Sequence, residues 1–154
     1  MAWYSFLFRV KFPETRRAIE RIKGGGAYNV GSGKYFELFK LLNKFCPKSI
    51  LELGGGGSTA VFATYSKEHN TKFVSVDHEE KWLENTKNAL EGCPVEFLLL
   101  PASLKDGTPP KNFYVGLNKT ADLIYIDGAS FQEQKDLQWR AVNCNIVELI
   151  ESDP

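Results

Sequence analysis

The stretch "LELGGGGSTA", residues 51–60, places four consecutive glycines between two segments of different character. The segment before them, residues 48–53, is a short apolar run of the kind that forms a buried strand. The segment after them, residues 58–69, has the pattern of a helix with Ser58 as its N-cap residue. Glycines at such a junction let a ligand approach the backbone, and the N–H groups at a helix N-terminus attract anionic groups. The stretch therefore predicts a ligand-binding loop.

Outward from this loop, strands and helices alternate along the chain. We predict further strands at residues 72–77, 95–100 and 121–127, and further helices at residues 79–92 and 130–151. Strands that alternate with helices form βαβ units, which build a parallel sheet with helices on both faces. The predicted fold class is therefore α/β, and a chain of 154 residues is long enough for a domain with a core.

Residues 1–32 are predicted to form an N-terminal helical segment with a glycine-rich loop, and residues 33–154 the α/β domain. The first helix has an apolar stripe at the spacing i, i+3, i+4, i+7, made of Trp3, Phe6, Leu7 and Val10. Such a stripe usually faces a core, so we predict that this helix packs on the domain. Positions 1–23 contain six basic and two acidic residues. This excess of positive charge is also compatible with contact with a membrane surface or a partner.

The composition argues against several classes of function. The 19 Lys and Arg residues balance 19 Asp and Glu residues, so nothing favours nucleic acid as a partner. No apolar run has the length of a membrane span, and the N-terminus lacks the layout of a secretory signal. Cys46, Cys93 and Cys144 are too far apart for a metal or redox motif, and His69 and His78 alone make no metal site. We therefore predict reduced thiols, a cytoplasmic location and no bound metal.

The residues around the glycines test whether the loop could bind either of two phosphate-bearing ligands. A nucleoside triphosphate requires a lysine beside the glycines, and residues 49–66 contain none, which excludes that ligand. A dinucleotide requires the pattern GxGxxG. Read from Gly54, the third glycine is replaced by Thr59, whereas read from Gly55 the pattern ends on Ala60, which it tolerates. Binding of NAD therefore stays open.

Three stretches resemble motifs of the class I S-adenosylmethionine-dependent methyltransferases. Glu52 and the glycines after it in "LELGGGGST" resemble the first motif, E-x-G-x-G-x-S/T. Asp77 in "VSVDHEEKW" resembles the acid of the second motif, which binds ribose, although NAD enzymes share this acid. Asp127 in "ADLIYIDG" resembles the acid of the fourth motif. The resemblance extends over residues 33–130.

For the fold, the resemblance implies a Rossmann-like, three-layer architecture in which the four predicted strands take the order 3-2-1-4. Members of the family have further strands, including a reversed edge strand, and the sequence lacks them. A small parallel sheet of this kind leaves an exposed edge. We therefore expect either a domain that is truncated at its C-terminus or a sheet that another subunit completes in a homo-oligomer.

For the site, the resemblance implies S-adenosylmethionine as cofactor. The expected cofactor-binding residues are Glu52, Gly54, Gly55, Gly56, Ser58, Asp77, His78 and Ser103. The glycines would hold the methionine part, Asp77 the ribose, and His78 and Ser103 the region of the adenine. Asp127 would be the catalytic residue and would orient or deprotonate the acceptor, a small molecule methylated on O or N. The metal-dependent branch of the family uses further ligands that are missing here, so no metal is expected.

Two other functions remain compatible with these residues. An NAD-binding oxidoreductase domain would share the glycines and Asp77, although no constellation for hydride transfer is evident. A truncated domain that binds a nucleoside or a partner without catalysis would also fit. In the methyltransferase interpretation, the loops at residues 24–33 and 101–120 would shape the acceptor site.

Overall fold

The computed structural model describes residues 2–24, 32–77, 79–99, 117 and 120–126, and its framework is one parallel sheet. The strands are β1 (Ser49–Leu53), β2 (Lys72–Asp77), β3 (Glu96–Leu99) and β4 (Leu123–Ile126). They lie in the order β3-β2-β1-β4, and every neighbouring pair is parallel. The predicted α/β class and the predicted strand order 3-2-1-4 are confirmed.

Five helices belong to the described part of the chain. They are α1 (Ala2–Lys11), α2 (Pro13–Ile22), α3 (Ser32–Phe45), α4 (Gly57–His69) and α5 (Glu80–Ala89). α4 connects β1 to β2 and α5 connects β2 to β3, as the alternation of the sequence predicts. None of the five is long and apolar enough to cross a membrane. The helix predicted at residues 130–151, and most of the loops predicted at 24–33 and 101–120, lie outside the described residues.

The first face of the sheet packs against α4. Side chains alternate between the faces of a strand, so Phe73 of β2 and Tyr125 of β4 point to the same side. The ring centroid of Phe62, on α4, lies 5.5 Å from that of Phe73 and 5.2 Å from that of Tyr125. α2 and α3 cover the other side of α4. The helix is therefore surrounded, which explains why its sequence lacks a continuous polar face.

The second face of the sheet forms a smaller apolar cluster. It consists of Leu51, Leu53, Val74, Val76, Leu98 and Ile126, with Leu117 and Ala121 packed against them. A cavity of about 230 Å³ opens over this face beside Ser49 and Lys72. Because these two residues begin their strands, the cavity lies at the opposite edge of the sheet from the glycine loop. It is therefore separate from the predicted ligand site.

The packing of α1 corrects one expectation. The helix does pack on the domain, but it does so through Phe8, which is fully buried, while two members of the predicted stripe are exposed. Phe6 and Val10, both members of that stripe, are 55% and 62% exposed. The reason lies in the junction between α1 and α2, where the ring of Phe12 stacks on that of Phe39 with centroids 4.0 Å apart. This contact directs the Phe8 side of α1 towards α3.

A reciprocal set of hydrogen bonds fixes the start of β4 beside the start of β1. The Asp122 carboxylate accepts hydrogen bonds from the backbone N–H groups of Lys48 (2.8 Å) and Ser49 (3.1 Å). The Ser49 hydroxyl in turn accepts one from the Asp122 N–H at 2.9 Å. In the resulting register Leu53 pairs with Ile126, so β4 ends level with the end of β1.

Tyr65, near the end of α4, is a buried titratable group with only 1% of its surface exposed. Burial raises the pKa of its hydroxyl above the ordinary value of 10.0, and the electrostatic effect of the neighbouring Cys46 raises it further. A hydrogen bond with Thr71 acts in the opposite direction and lowers this pKa. The net direction is upward, so the neutral phenol is favoured in the folded state.

This shift predicts how stability depends on alkaline pH. A raised folded-state pKa contributes stability that is complete below the unfolded-state pKa and is lost as pH rises through the folded-state value. We therefore expect the Tm of the wild-type protein to fall more steeply than that of Tyr65→Phe as the pH rises above about 10. Circular dichroism melts of both proteins measure this difference. Parallel curves would show that Tyr65 titrates alike in both states.

Candidate functional site

The glycine loop lies at the carboxyl edge of the sheet, between β1 and α4. The strand order reverses here, because β2 lies on one side of β1 and β4 on the other. Ligands of open α/β sheets bind outside the carboxyl ends of the strands at such a switch point. The end of β1 at Leu53 and the end of β2 at Asp77 therefore border the candidate site.

Each glycine of the loop meets a different requirement. Gly54 has φ +94°, a backbone conformation that other residues rarely adopt, and its N–H donates to the carbonyl of Val76 at 2.8 Å. At Gly56, an added Cβ would have no atom within 4 Å, so this residue faces open space. At Gly57, an added Cβ would lie 2.8 Å from Cζ of Tyr35 and closer still to its hydroxyl. The loop is thus open at Gly56 and closed at Gly57.

The start of α4 differs from the predicted one. The N-cap residue is Gly56, and the helix begins at Gly57, so Ser58 is not the cap. The Gly56 N–H donates instead to the Thr59 hydroxyl at 2.7 Å, and the Thr59 N–H donates to the Gly56 carbonyl at 3.1 Å. The first bond is one half of a capping box, with threonine in place of the usual acidic residue, whereas the second is a backbone turn because glycine has no side chain to accept it. Ser58 is released for another contact.

That contact is with Glu52, which is completely buried beneath the loop. Its carboxyl group accepts hydrogen bonds from the hydroxyls of Ser58 (2.6 Å), Thr59 (2.7 Å) and Ser75 (2.8 Å). Ser75 is the residue of β2 that lies directly beside Glu52 in the sheet. The carboxyl group therefore joins β1, β2 and the first turn of α4.

Thr59 is a site residue that the sequence interpretation missed. Its hydroxyl accepts from the Gly56 N–H and donates to Glu52, so it links the loop backbone to the buried carboxyl group. A Ser or Thr at the third position of the helix was visible in the sequence. What could not be seen is that the helix begins at Gly57, which places Thr59 at the N3 position, where its hydroxyl reaches the N–H of the N-cap residue Gly56.

Asp77, at the end of β2, is 6% exposed and contacts backbone on two sides. Its Oδ2 accepts a hydrogen bond from the Gly55 N–H at 2.8 Å, and its Oδ1 accepts one from the Glu79 N–H at 2.9 Å. The second bond supports the start of α5, whereas the first ties Asp77 to the glycine loop.

Trp82 is a second residue to which the sequence interpretation gave no role. Its indole Nε1 donates a hydrogen bond to the carbonyl of Gly55 at 2.7 Å, from the first turns of α5. The ring is partly buried and packs against the main core. Nothing in the sequence identifies this contact, because the partners are 27 residues apart and one of them is a backbone carbonyl.

Six of the predicted site residues come together at this edge of the sheet: Glu52, Gly54, Gly55, Gly56, Ser58 and Asp77. The other three, His78, Ser103 and Asp127, lie outside the described residues. Within the described ranges, no group of three or more His, Cys, Asp and Glu side chains could hold a metal ion.

Comparison with known proteins gives a similarity of fold to a solved structure. No protein-family profile matches the chain, and no curated protein sequence does. Among solved structures, the chain is similar to the methyltransferase PaMTH1 of Podospora anserina, crystallised with S-adenosylhomocysteine (SAH) bound. The two share a fold. The TM-score is 0.51 at 17% identity, over 89% of this chain and 56% of that one, so the similarity concerns the fold alone.

The Glu52 cluster leads to a stability prediction. Glu52→Leu leaves three buried hydroxyls without their acceptor, and we expect the free energy of unfolding to fall by about 2–4 kcal/mol. Glu52→Gln keeps one carbonyl oxygen and should cost about half as much. Urea denaturation measures both, with the exposed Glu96→Gln as a control that should stay within about 0.5 kcal/mol of wild type. A Glu52→Leu protein as stable as wild type would contradict the anchoring role.

A second prediction concerns the closed end of the loop. We expect Gly57→Ala to lower the free energy of unfolding by about 1–3 kcal/mol, because the new methyl group overlaps the Tyr35 side chain. In a Tyr35→Phe background the loss should shrink, since the nearest overlap is with the hydroxyl. Gly33→Ala, at the start of α3 where an added Cβ meets no atom within 4 Å, is the matched control. Equal losses at positions 33 and 57 would rule out the overlap.

Proposed function

We propose that this chain binds S-adenosylmethionine at the glycine loop and transfers its methyl group to a small-molecule acceptor. One observation carries the proposal. The Gly55 N–H is bonded to Asp77 across adjacent strand ends, while Gly56 beside it faces open space. This combination offers an acid for the ribose and free room against the backbone for the rest of the ligand. The fold shared with an SAH-bound methyltransferase supports the same ligand class.

The residues take different roles in this proposal. The N-terminus of α4, next to the open Gly56, would attract the carboxylate of the methionine part. Asp77 would accept hydrogen bonds from the ribose hydroxyls. Glu52 would act indirectly, because its burial and its three hydroxyl partners suit it to hold the loop in shape. Its direct contact with the cofactor, inferred from the sequence, stays a prediction.

The proposed reaction moves a methyl group from the sulfonium of the cofactor to an O or N atom. A lone pair of the acceptor forms the new bond to carbon as the carbon–sulfur bond breaks, and SAH leaves. Because the sulfonium is already activated, holding the two reactants in line accounts for most of the catalysis. Asp127 would take the proton of the acceptor or orient it, and His78 and Ser103 would border the adenosine. The cytoplasmic location and the homo-oligomer also stay predictions.

The first test is ligand-dependent stability. SAH at about one hundred times its Kd should add about 2.7 kcal/mol to the free energy of unfolding, which corresponds to roughly 5–10 °C in Tm. NAD at the same concentration should have a smaller effect or none. A shift with NAD alone would favour the oxidoreductase interpretation, and no shift with either ligand would favour a domain that binds no nucleoside.

A substitution at Gly56 tests whether the ligand binds at the glycine loop. Gly56→Ala adds a methyl group where the protein itself has no atom within 4 Å, so the Tm without ligand should hardly change. The Kd for SAH should nevertheless rise at least about tenfold, because the methyl group occupies the space proposed for the ligand. Titration calorimetry measures the Kd, and Gly33→Ala, equally open but in α3, should leave it unchanged. An unchanged Kd in Gly56→Ala would place the ligand elsewhere.

A further inference from the structure

The indole of Trp82 makes a contact that the proposed methyl transfer does not itself require. Its Nε1–H donates to the Gly55 carbonyl at 2.7 Å, and its ring, projecting from α5, packs on the main core. The Thr86 hydroxyl, on the same helix, donates to the backbone carbonyl of Trp82 at 2.9 Å, a bond that does not involve the indole. The indole N–H is therefore the contact by which Trp82 reaches the glycine loop.

Gly55 is the residue of the loop that this donor holds, and it is held on both sides. Its N–H donates to Oδ2 of Asp77, and its carbonyl accepts a hydrogen bond from the indole of Trp82. The peptide units before and after Gly55 are therefore both restrained. A Cβ added at Gly55 would lie 3.4 Å from Oγ of Ser75 and 3.5 Å from Oδ2 of Asp77, which is ordinary contact distance. Because glycine has so much conformational freedom, the two hydrogen bonds determine how the Gly55 backbone is oriented.

We propose that Trp82 is a positioning residue for the cofactor, acting through Gly55 on Asp77. By fixing the Gly55 carbonyl, the indole fixes the direction of the Gly55 N–H, and this N–H holds Oδ2 of Asp77 in place. The carboxylate is then oriented before the ribose arrives, which lowers the conformational cost of binding. The proposal rests on the proposed function, since it assigns the ribose to Asp77.

A purely structural role makes a different prediction. If Trp82 only filled space beside α5, its replacement by another aromatic residue would change stability, and any change in affinity would be independent of Asp77. If Trp82 acts through Gly55 and Asp77, its effect on affinity must depend on the presence of the Asp77 carboxylate. A double-mutant cycle separates these two cases.

The cycle uses Trp82→Phe, which keeps an aromatic ring but removes the N–H donor, and Asp77→Ala. We expect Trp82→Phe to raise the Kd for SAH by about three- to tenfold in the wild-type background. In the Asp77→Ala background it should raise the Kd by less than about twofold. The same factor in both backgrounds, or no change in either, would overturn the proposal. Asp77→Asn replaces Asp77→Ala if the latter does not fold.

Thr86→Val is the matched control. It removes a hydrogen bond from the same helix without touching the glycine loop, so it should lower Tm and leave the Kd for SAH unchanged. A Kd that rises as much in Thr86→Val as in Trp82→Phe would show that α5 acts on binding only through its stability.

A measurement made without ligand tests the role of Trp82 independently of whether the protein binds SAH. Amide hydrogen exchange of Gly55, measured by NMR on the full chain, should be several times faster in Trp82→Phe than in Thr86→Val. If the wild-type protein binds no SAH, the proposed function fails, and the exchange rates alone judge whether Trp82 positions the loop. Equal exchange rates in the two variants would overturn that role as well.

Discussion

The buried carboxyl group of Glu52 is the contact on which the rest of the site depends. A carboxyl group removed from water is costly unless hydrogen bonds replace its hydration. Here three hydroxyls do so, from Ser58 and Thr59 on α4 and from Ser75 on β2. Because the Glu52 carboxyl group must keep these hydrogen bonds, the distance and rotation of α4 relative to β1 and β2 are fixed. The glycine loop spans the gap that this arrangement leaves.

The loop itself combines a fixed backbone with an open surface. The N–H groups of Gly54, Gly55 and Gly56 each have a partner within the protein, namely the Val76 carbonyl, Asp77 and Thr59. Such bonds suit a ligand-binding loop because little conformational entropy remains to be lost on binding. The absence of side chains keeps the backbone accessible. Glycine thus contributes access, and its neighbours contribute the rigidity that glycine lacks.

Much of the fold was predictable because it depends on local patterns. Strand β2 was predicted at its observed limits of residues 72–77, and the alternation of strands and helices was sufficient to predict a parallel sheet. The order of the strands came from the resemblance of short motifs to a known family. The helix α1 was less predictable: an apolar stripe indicates that some face is buried, but the Phe12–Phe39 stack determined which one.

In the site, the sequence by itself determined the glycines, the acid before them and the acid that ends the next strand. These features are local: they follow from a strand, a loop and a helix in succession. Only the tertiary structure decided what Glu52 and Trp82 contact. Glu52 meets Ser75 because the register of β1 against β2 places them side by side, and Trp82 reaches Gly55 from 27 residues away. Contacts of this kind arise from the packing of α4 and α5 on the sheet, and no spacing along the chain specifies them.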